Sequence, residues 1–213
     1  MNKRRYFIGC FNKSVILTYI GVLLSFLGMQ ISLNANVDNR YAALNRVMII
    51  LILVGLCDTF DGVIARRCKR NDIQKQFGVQ IDSLCDVISF GIFPVIILYS
   101  FKTDIISNII ITAISILYII TIVTRLAWFN INHNEKTFIG VPVTYIALVM
   151  PFIQLITCNV NYNIRTLSIP ITMLIMSIAY ILNIKIPKLN KKAYIAIGVL
   201  AIIFITLFIV LGV

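Results

Sequence analysis

The sequence predicts an all-α fold, a polytopic transmembrane helical bundle. Three observations lead there. Of the 213 residues, 60% are apolar and only 13% are charged, whereas a soluble domain carries about a quarter charged residues. The apolar residues gather into seven stretches, each close to the roughly 20 residues that cross a bilayer: 14–33, 41–65, 78–100, 105–129, 139–158, 164–184 and 193–213. The connections between them are too short to hold a soluble domain. Residues 1–213 therefore read as one integral-membrane domain, with any chemistry inside the bundle or at its surface.

Residues 1–13 precede the first span and mix basic with aromatic groups. They suit a short cytoplasmic interfacial helix, with a disordered basic tail as the other reading. The start is basic, but the apolar segment that follows is long and has no clear small-x-small cleavage site, so a cleavable signal peptide is not expected. A short basic loop joins the second and third spans and makes them antiparallel neighbours. The fourth span ends at Arg125-Leu-Ala-Trp-Phe-Asn130, and Asn132-His133-Asn134-Glu135-Lys136 is the most polar interhelical loop. His133, the one histidine, reads as a solvated loop residue. No internal repeat or low-complexity tract is evident.

Charge sets the orientation. With the amino terminus cytoplasmic, Lys3, Arg4, Arg5, Lys13, Arg66, Arg67, Lys69, Arg70 and Lys75 lie inside, joined by Arg125, Lys136, Lys185, Lys188, Lys191 and Lys192. Arg40, Lys102 and Arg165 are left outside, with Arg46 just within the second span. This asymmetry follows the positive-inside rule. It places the chain in the cell membrane with its amino terminus and its polar cluster on the cytoplasmic side. The net charge of +11 is then mainly a topology signal that also attracts anionic lipid headgroups. The basic residues are dispersed over membrane-proximal loops, so no nucleic-acid partner is expected. Cys10, Cys57, Cys68, Cys85 and Cys158 show no CxxC pairing and read as small apolar packers.

The chain has eight acidic residues, and Asp58, Asp61, Asp82 and Asp86 sit in or beside spans. Ionised groups at membrane depth are costly and by default functional. Asp58, Asp61, Gly62 and Ala65 follow i, i+3, i+4, i+7 and share one helical face. Asp82 and Asp86 are i, i+4, with Gly78 one turn before and Ser89 extending the face. The small residues allow a ligand or a helix close to the backbone. Antiparallel packing of the two helices brings all four carboxylates to the cytoplasmic end. They would repel one another without a cation, and two divalent ions with oxygen ligands satisfy them. A two-metal site can clamp a diphosphate, and Arg66 offers a forked contact to phosphate. The competing reading is a network in which the aspartates merely pair with nearby Arg and Lys.

The two blocks Asp58-Thr-Phe-Asp61-Gly62-Val-Ile-Ala65-Arg66 and Gly78-Val-Gln-Ile-Asp82-Ser-Leu-Cys-Asp86 closely resemble the signature of the CDP-alcohol phosphatidyltransferases. The resemblance implies a six-helix membrane core, to which residues 193–213 add an extra C-terminal transmembrane helix, and a homodimer. It implies Mg2+ or Mn2+, two ions per site, held by Asp58, Asp61, Asp82 and Asp86, with Asp86 also the general base. Asp58, Gly62, Ala65, Arg66 and Gly78 would bind the CDP moiety. Cleavage of the CDP-lipid diphosphate would release CMP and transfer the phosphatidyl group to an alcohol.

Three further stretches resemble the branch of this family that uses CDP-diacylglycerol and L-serine: Asp82 through Gly91 and on to Pro94, Arg125 to Asn130, and Phe138-Ile-Gly-Val-Pro142, the last supported by Lys185-Ile-Pro187-Lys188. Arg125 is the candidate partner for the serine carboxylate or a phosphate, against the reading of a snorkelling arginine that serves topology alone. Trp128 stands where that branch usually has arginine and reads as an interfacial anchor. The loop from Arg66 to Gly78 is longer than the family usually has, and Val15 replaces a common asparagine ahead of Thr18. Two alternatives stay open: a relative with another acceptor, such as glycerol 3-phosphate or inositol, and a cation transporter or channel. The outer halves of the aspartate-bearing spans are almost wholly apolar, which argues against an ion path.

Overall fold

The structure, a computed structural model, describes residue 9 and residues 15–102, 105–131, 137–187 and 191–210. The expected interfacial segment before the first span, apart from Gly9, and the polar loop around His133 lie outside the described residues. The predicted helical bundle is present. Among the described residues, six helical spans are long and apolar enough to cross a membrane, and a seventh, shorter one accompanies them.

The first hairpin is built on small residues. Helix α1 (Ile16–Leu33) buries Thr18, Gly21, Ser25, Gly28 and Ser32, spaced alternately by three and four. Such a stripe lets helices approach closely. At Gly28 a Cβ would overlap the Phe93 ring, so glycine lets that ring lie directly against α1. Helix α2 (Arg40–Arg67) is the central element. It buries Leu44, Val47, Met48, Leu51 and Val54 along its N-terminal half before reaching Asp61. At Gly55 a Cβ would lie 2.6 Å from Ala147 Cβ, which marks a close approach of α2 to α6.

Helix α3 (Asp72–Asp86) begins six residues before the expected third span. A capping box starts it there: Gln74 N donates to Asn71 Oδ1 at 2.8 Å, and Asn71 N to Gln74 Oε1 at 3.1 Å. The box satisfies two amides that have no intrahelical acceptor. Directly after Asp86 the helix widens into a π turn over Val87–Ile92, then continues as α4 (Phe93–Ser100). Pro94 lacks an N–H and cannot bond the Phe90 carbonyl. Tyr118 Oη donates to that carbonyl at 2.7 Å from the next helix, α5 (Asn108–Ile131).

The fifth span is shorter than the expected 139–158. Thr137–Ile139 forms β1, an extended segment paired antiparallel with β2, Lys185–Pro187, in the register Thr137↔Pro187, Phe138↔Ile186, Ile139↔Lys185. Gly140 has φ 77°, and a Cβ there would lie 2.7 Å from the Tyr180 carbonyl oxygen. Pro142 fixes the next turn, and a short 3-10 segment, Val143–Tyr145, leads into α6 (Ile146–Ile156). Phe138–Pro142 thus forms a strand and a turn, not the opening of a helix. Tyr180 Oη donates to the Val143 carbonyl at 3.0 Å and ties this entry to α7 (Tyr162–Ile181).

At the end of the bundle opposite the aspartates, Arg165 of α7 is fully buried. Its guanidinium donates to Gln154 Oε1 at 3.2 Å and to Asn45 Oδ1. Helix α8 (Lys191–Val210) completes the fold and packs on α2 and α6. Phe204 stacks on Phe152 with ring centroids 5.8 Å apart.

Candidate active site

Helices α2 and α3 bring the four aspartates to one end of the bundle. Asp58, Asp82 and Asp86 each offer a carboxylate oxygen within 4.8 Å of the others. Asp61, on the same face of α2 as Asp58, is buried, and Thr18 Oγ1 of α1 donates to its Oδ2 at 2.8 Å. All four line a cavity of about 210 Å³ together with Gly62 and Arg125. Behind them Ser25 Oγ of α1 donates to Ser89 Oγ at 2.9 Å, which fixes α1 against the π turn. Ser83, one residue after Asp82, donates to Asn130 Oδ1 at 3.1 Å and anchors α3 to the end of α5.

The donor set fits a hard divalent cation. Three acidic oxygens converge, and among the described residues no Lys or Arg forms an ion pair with any of the four aspartates. Mutual repulsion in such a group is relieved by a cation with oxygen ligands. The arrangement therefore departs from a network of aspartates paired to arginine and lysine.

The remaining residues of the motif lie around this centre. Arg66 reaches back over Gly62, where a Cβ would stand 3.8 Å from its Nη1. Gly78 faces a second guanidinium: a Cβ there would be 3.3 Å from Arg70 Nη1. Ala65, Arg66 and Gly78 are not among the residues that line the aspartate cavity itself. Arg125 is buried, at 6% exposure, and its guanidinium lies 5.4 Å from the centre of the Phe129 ring. It also lines a second cavity of about 250 Å³ with Trp128, Tyr180 and Asn183. Trp128 itself is half exposed.

Sequence reasoning missed four contributors. Thr18 was visible only as a position in the first helix, and its bond to Asp61 spans 43 residues of chain. Thr144 and Tyr145 reach the cavity from the 3-10 turn, a turn hidden inside an expected span. Tyr194 reaches it from α8. Its position one turn into a basic-flanked apolar helix gave no signal of a site.

Comparison with known proteins fits this geometry. The family described as CDP-alcohol phosphatidyltransferase matches residues 11–185. The chain belongs to this family. It is a family of divalent-metal-dependent phosphotransferases, and its matched region contains every aspartate of the cluster. Among curated relatives, a CDP-diacylglycerol–serine O-phosphatidyltransferase of Helicobacter pylori is 32% identical over 189 residues, covering 85% of this chain and 76% of the relative. One of the same name from Methanocaldococcus jannaschii is 33% identical over 155 residues, 72% of this chain and 69% of the relative. An archaetidylserine synthase of Methanothermobacter thermautotrophicus is 32% identical over 149 residues, 70% of this chain. The match spans 60% of that relative's length.

Proposed function

We propose that the protein transfers the phosphatidyl group of CDP-diacylglycerol to the hydroxyl of L-serine and releases CMP. The convergence of Asp58, Asp82 and Asp86 on a cavity that also takes in Arg125 carries the phosphotransferase part of this reading. The choice of serine rests on the names of the relatives and on the resemblance of Asp82–Pro94 and Arg125–Asn130 to the serine-using branch.

Asp58, Asp61, Asp82 and Asp86 would hold two divalent ions, Mg2+ or Mn2+. Bound there, the ions supply neutralisation of the diphosphate and of the departing CMP. Gly62, Ala65, Arg66 and Gly78, with Asp58, bind the CDP moiety. Gly62 leaves room for it, and Arg66 supplies a forked donor to phosphate. Asp86 accepts the proton of the serine hydroxyl as that oxygen bonds to the phosphatidyl phosphorus. The P–O bond to CMP breaks with its electron pair on CMP. A positioned carboxylate base of this kind contributes about 10²–10⁴-fold. Arg125 pairs with the serine carboxylate or an adjacent phosphate.

The excess of Lys and Arg on the aspartate-bearing side supports a cytoplasmic active site in the cell membrane. Acyl chains then stay in the bilayer while nucleotide and serine enter from water. The homodimer follows from the family resemblance alone.

An acceptor panel tests the reading. Purified protein receives CDP-diacylglycerol, Mg2+ or Mn2+, and one alcohol at a time, and CMP and the lipid product are measured. Serine should give phosphatidylserine. Transfer to glycerol 3-phosphate or inositol instead would move the chain to another branch, and CMP release with none of them would end the transferase assignment.

A further inference from the structure

Helix α8 lies beyond the region that matches the family, which ends at residue 185. Yet its inner face reaches the aspartate cavity. Tyr194 lines that cavity with Thr59, Thr144 and Tyr145. A third, smaller cavity of about 40 Å³ adjoins it and shares Thr59, Thr144 and Tyr145. Its other walls are apolar: Ile52, Gly55 and Leu56 of α2, Ala147 and Leu148 of α6, and Ile197 of α8. Further along, Ala201, Phe204 and Phe208 of α8 are buried against the bundle. Positions 194, 197, 201, 204 and 208 alternate in steps of three and four, so they form one stripe on the helix.

That stripe passes from a polar cavity, through an apolar one, into the core. The sequence of environments matches a molecule with a charged head and an apolar tail. We propose that α8 completes the site for the lipid donor: the Tyr194 hydroxyl contacts the phosphate–glycerol junction of the phosphatidyl group, and Ile197 forms one wall of the groove that admits the start of an acyl chain. The inference rests on the transferase reading above and deepens it by assigning residues to the lipid part of the donor. Tyr suits the junction because its ring packs on apolar surface while its hydroxyl bonds a polar group.

Two variants, Tyr194→Phe and Ile197→Trp, test it, with three readouts on each purified protein. These are the KM for CDP-diacylglycerol, the KM for serine, and the affinity for CDP, which has the same nucleotide but no acyl chains. Tyr194→Phe removes one hydrogen bond to a charged oxygen and should raise the donor KM about tenfold or more. Ile197→Trp fills the groove and should raise the donor KM at least as much. Neither should change the serine KM or CDP affinity by more than about twofold. A donor KM within twofold of the parent protein in Tyr194→Phe overturns the Tyr194 contact, and the same result in Ile197→Trp overturns the groove. An equal loss of CDP affinity overturns both, since it would mean that α8 acts through the carboxylate centre. If Ile197→Trp does not fold, Leu148→Trp, which fills the same groove from α6, takes its place. The parent protein in the same assay separates the two levels. If it releases no CMP from CDP-diacylglycerol with any acceptor, the transferase reading fails; if it turns over and the variants match it, only the role of α8 fails.

Discussion

Thr18 donates its hydroxyl to Asp61 at 2.8 Å, and both side chains are buried. The bond ties α1 to the carboxylate cluster and holds Asp61 in one orientation. Thr18→Val keeps the shape and removes the donor. Losing such a support to a metal-ligating group typically costs about 10–100-fold in metal affinity or activity. The Mn2+ concentration needed for half-maximal CMP release should rise in that range, while Thr18→Ser should stay near the parent value. An unchanged Mn2+ response in Thr18→Val would remove Thr18 from the site.

Activity should require a divalent cation. Excess chelator is expected to abolish CMP release, and added Mg2+ or Mn2+ to restore it. Undiminished turnover in chelator would rule out the metal-based mechanism.

Asp58→Asn, Asp61→Asn and Asp82→Asn each remove a charge while keeping side-chain shape. Each should lose activity with little loss of folded protein, measured by CMP release and by the yield of monodisperse protein in detergent. If the variants instead vanish from the membrane, the aspartates serve the fold.

Asp86→Asn should keep measurable CDP-diacylglycerol binding while transfer to serine falls by about 10²-fold or more, the scale of general-base catalysis. Arg125→Ala should mainly raise the serine concentration required. Both are read from a serine titration at saturating metal and donor. Near-normal transfer by Asp86→Asn would refute the base assignment, and an unshifted serine response would return Arg125 to a role in topology.

Stability should be sensitive where α2 meets α6. A Cβ at Gly55 would lie 2.6 Å from Ala147 Cβ, so Gly55→Ala forces the helices apart. Overpacking of this kind costs about 1–3 kcal/mol. Thermal unfolding in detergent should report the loss, and Gly198→Ala, where a Cβ would lie 4.0 Å from Phe60 Cζ, should be close to neutral.

The bundle and the aspartates were legible because both are periodic. Apolar runs of membrane length reveal spans, and carboxylates at i, i+3 and i, i+4 reveal shared faces. The early start of α3 was also written locally, in Asn71-x-x-Gln74, but the apolar pattern that begins later drew the boundary to Gly78. The short fifth span was harder. From Val141 to Ile156 only Thr144 and Gln154 interrupt the apolar and proline residues, and hydropathy does not distinguish a strand and turn from a helix. Gly140 and Pro142 were the local signs. The π turn after Asp86 leaves no mark in composition, and Pro94 hints only at a helix irregularity. Thr18 and Tyr194 were invisible as site residues, because each meets the aspartates only through tertiary packing.

The buried Arg165 bears on how the chain enters the bilayer. A lone cation on a helix is costly to insert, so α7 needs neutral acceptors that are already in place. Its hydrogen-bond acceptors are Asn45 on α2 and Gln154 on α6. Both precede it in the chain, so these two acceptors have been synthesised before α7 leaves the ribosome. The order of translation thus supplies the acceptors before the charge, and α7 can be captured by its neighbours as it emerges.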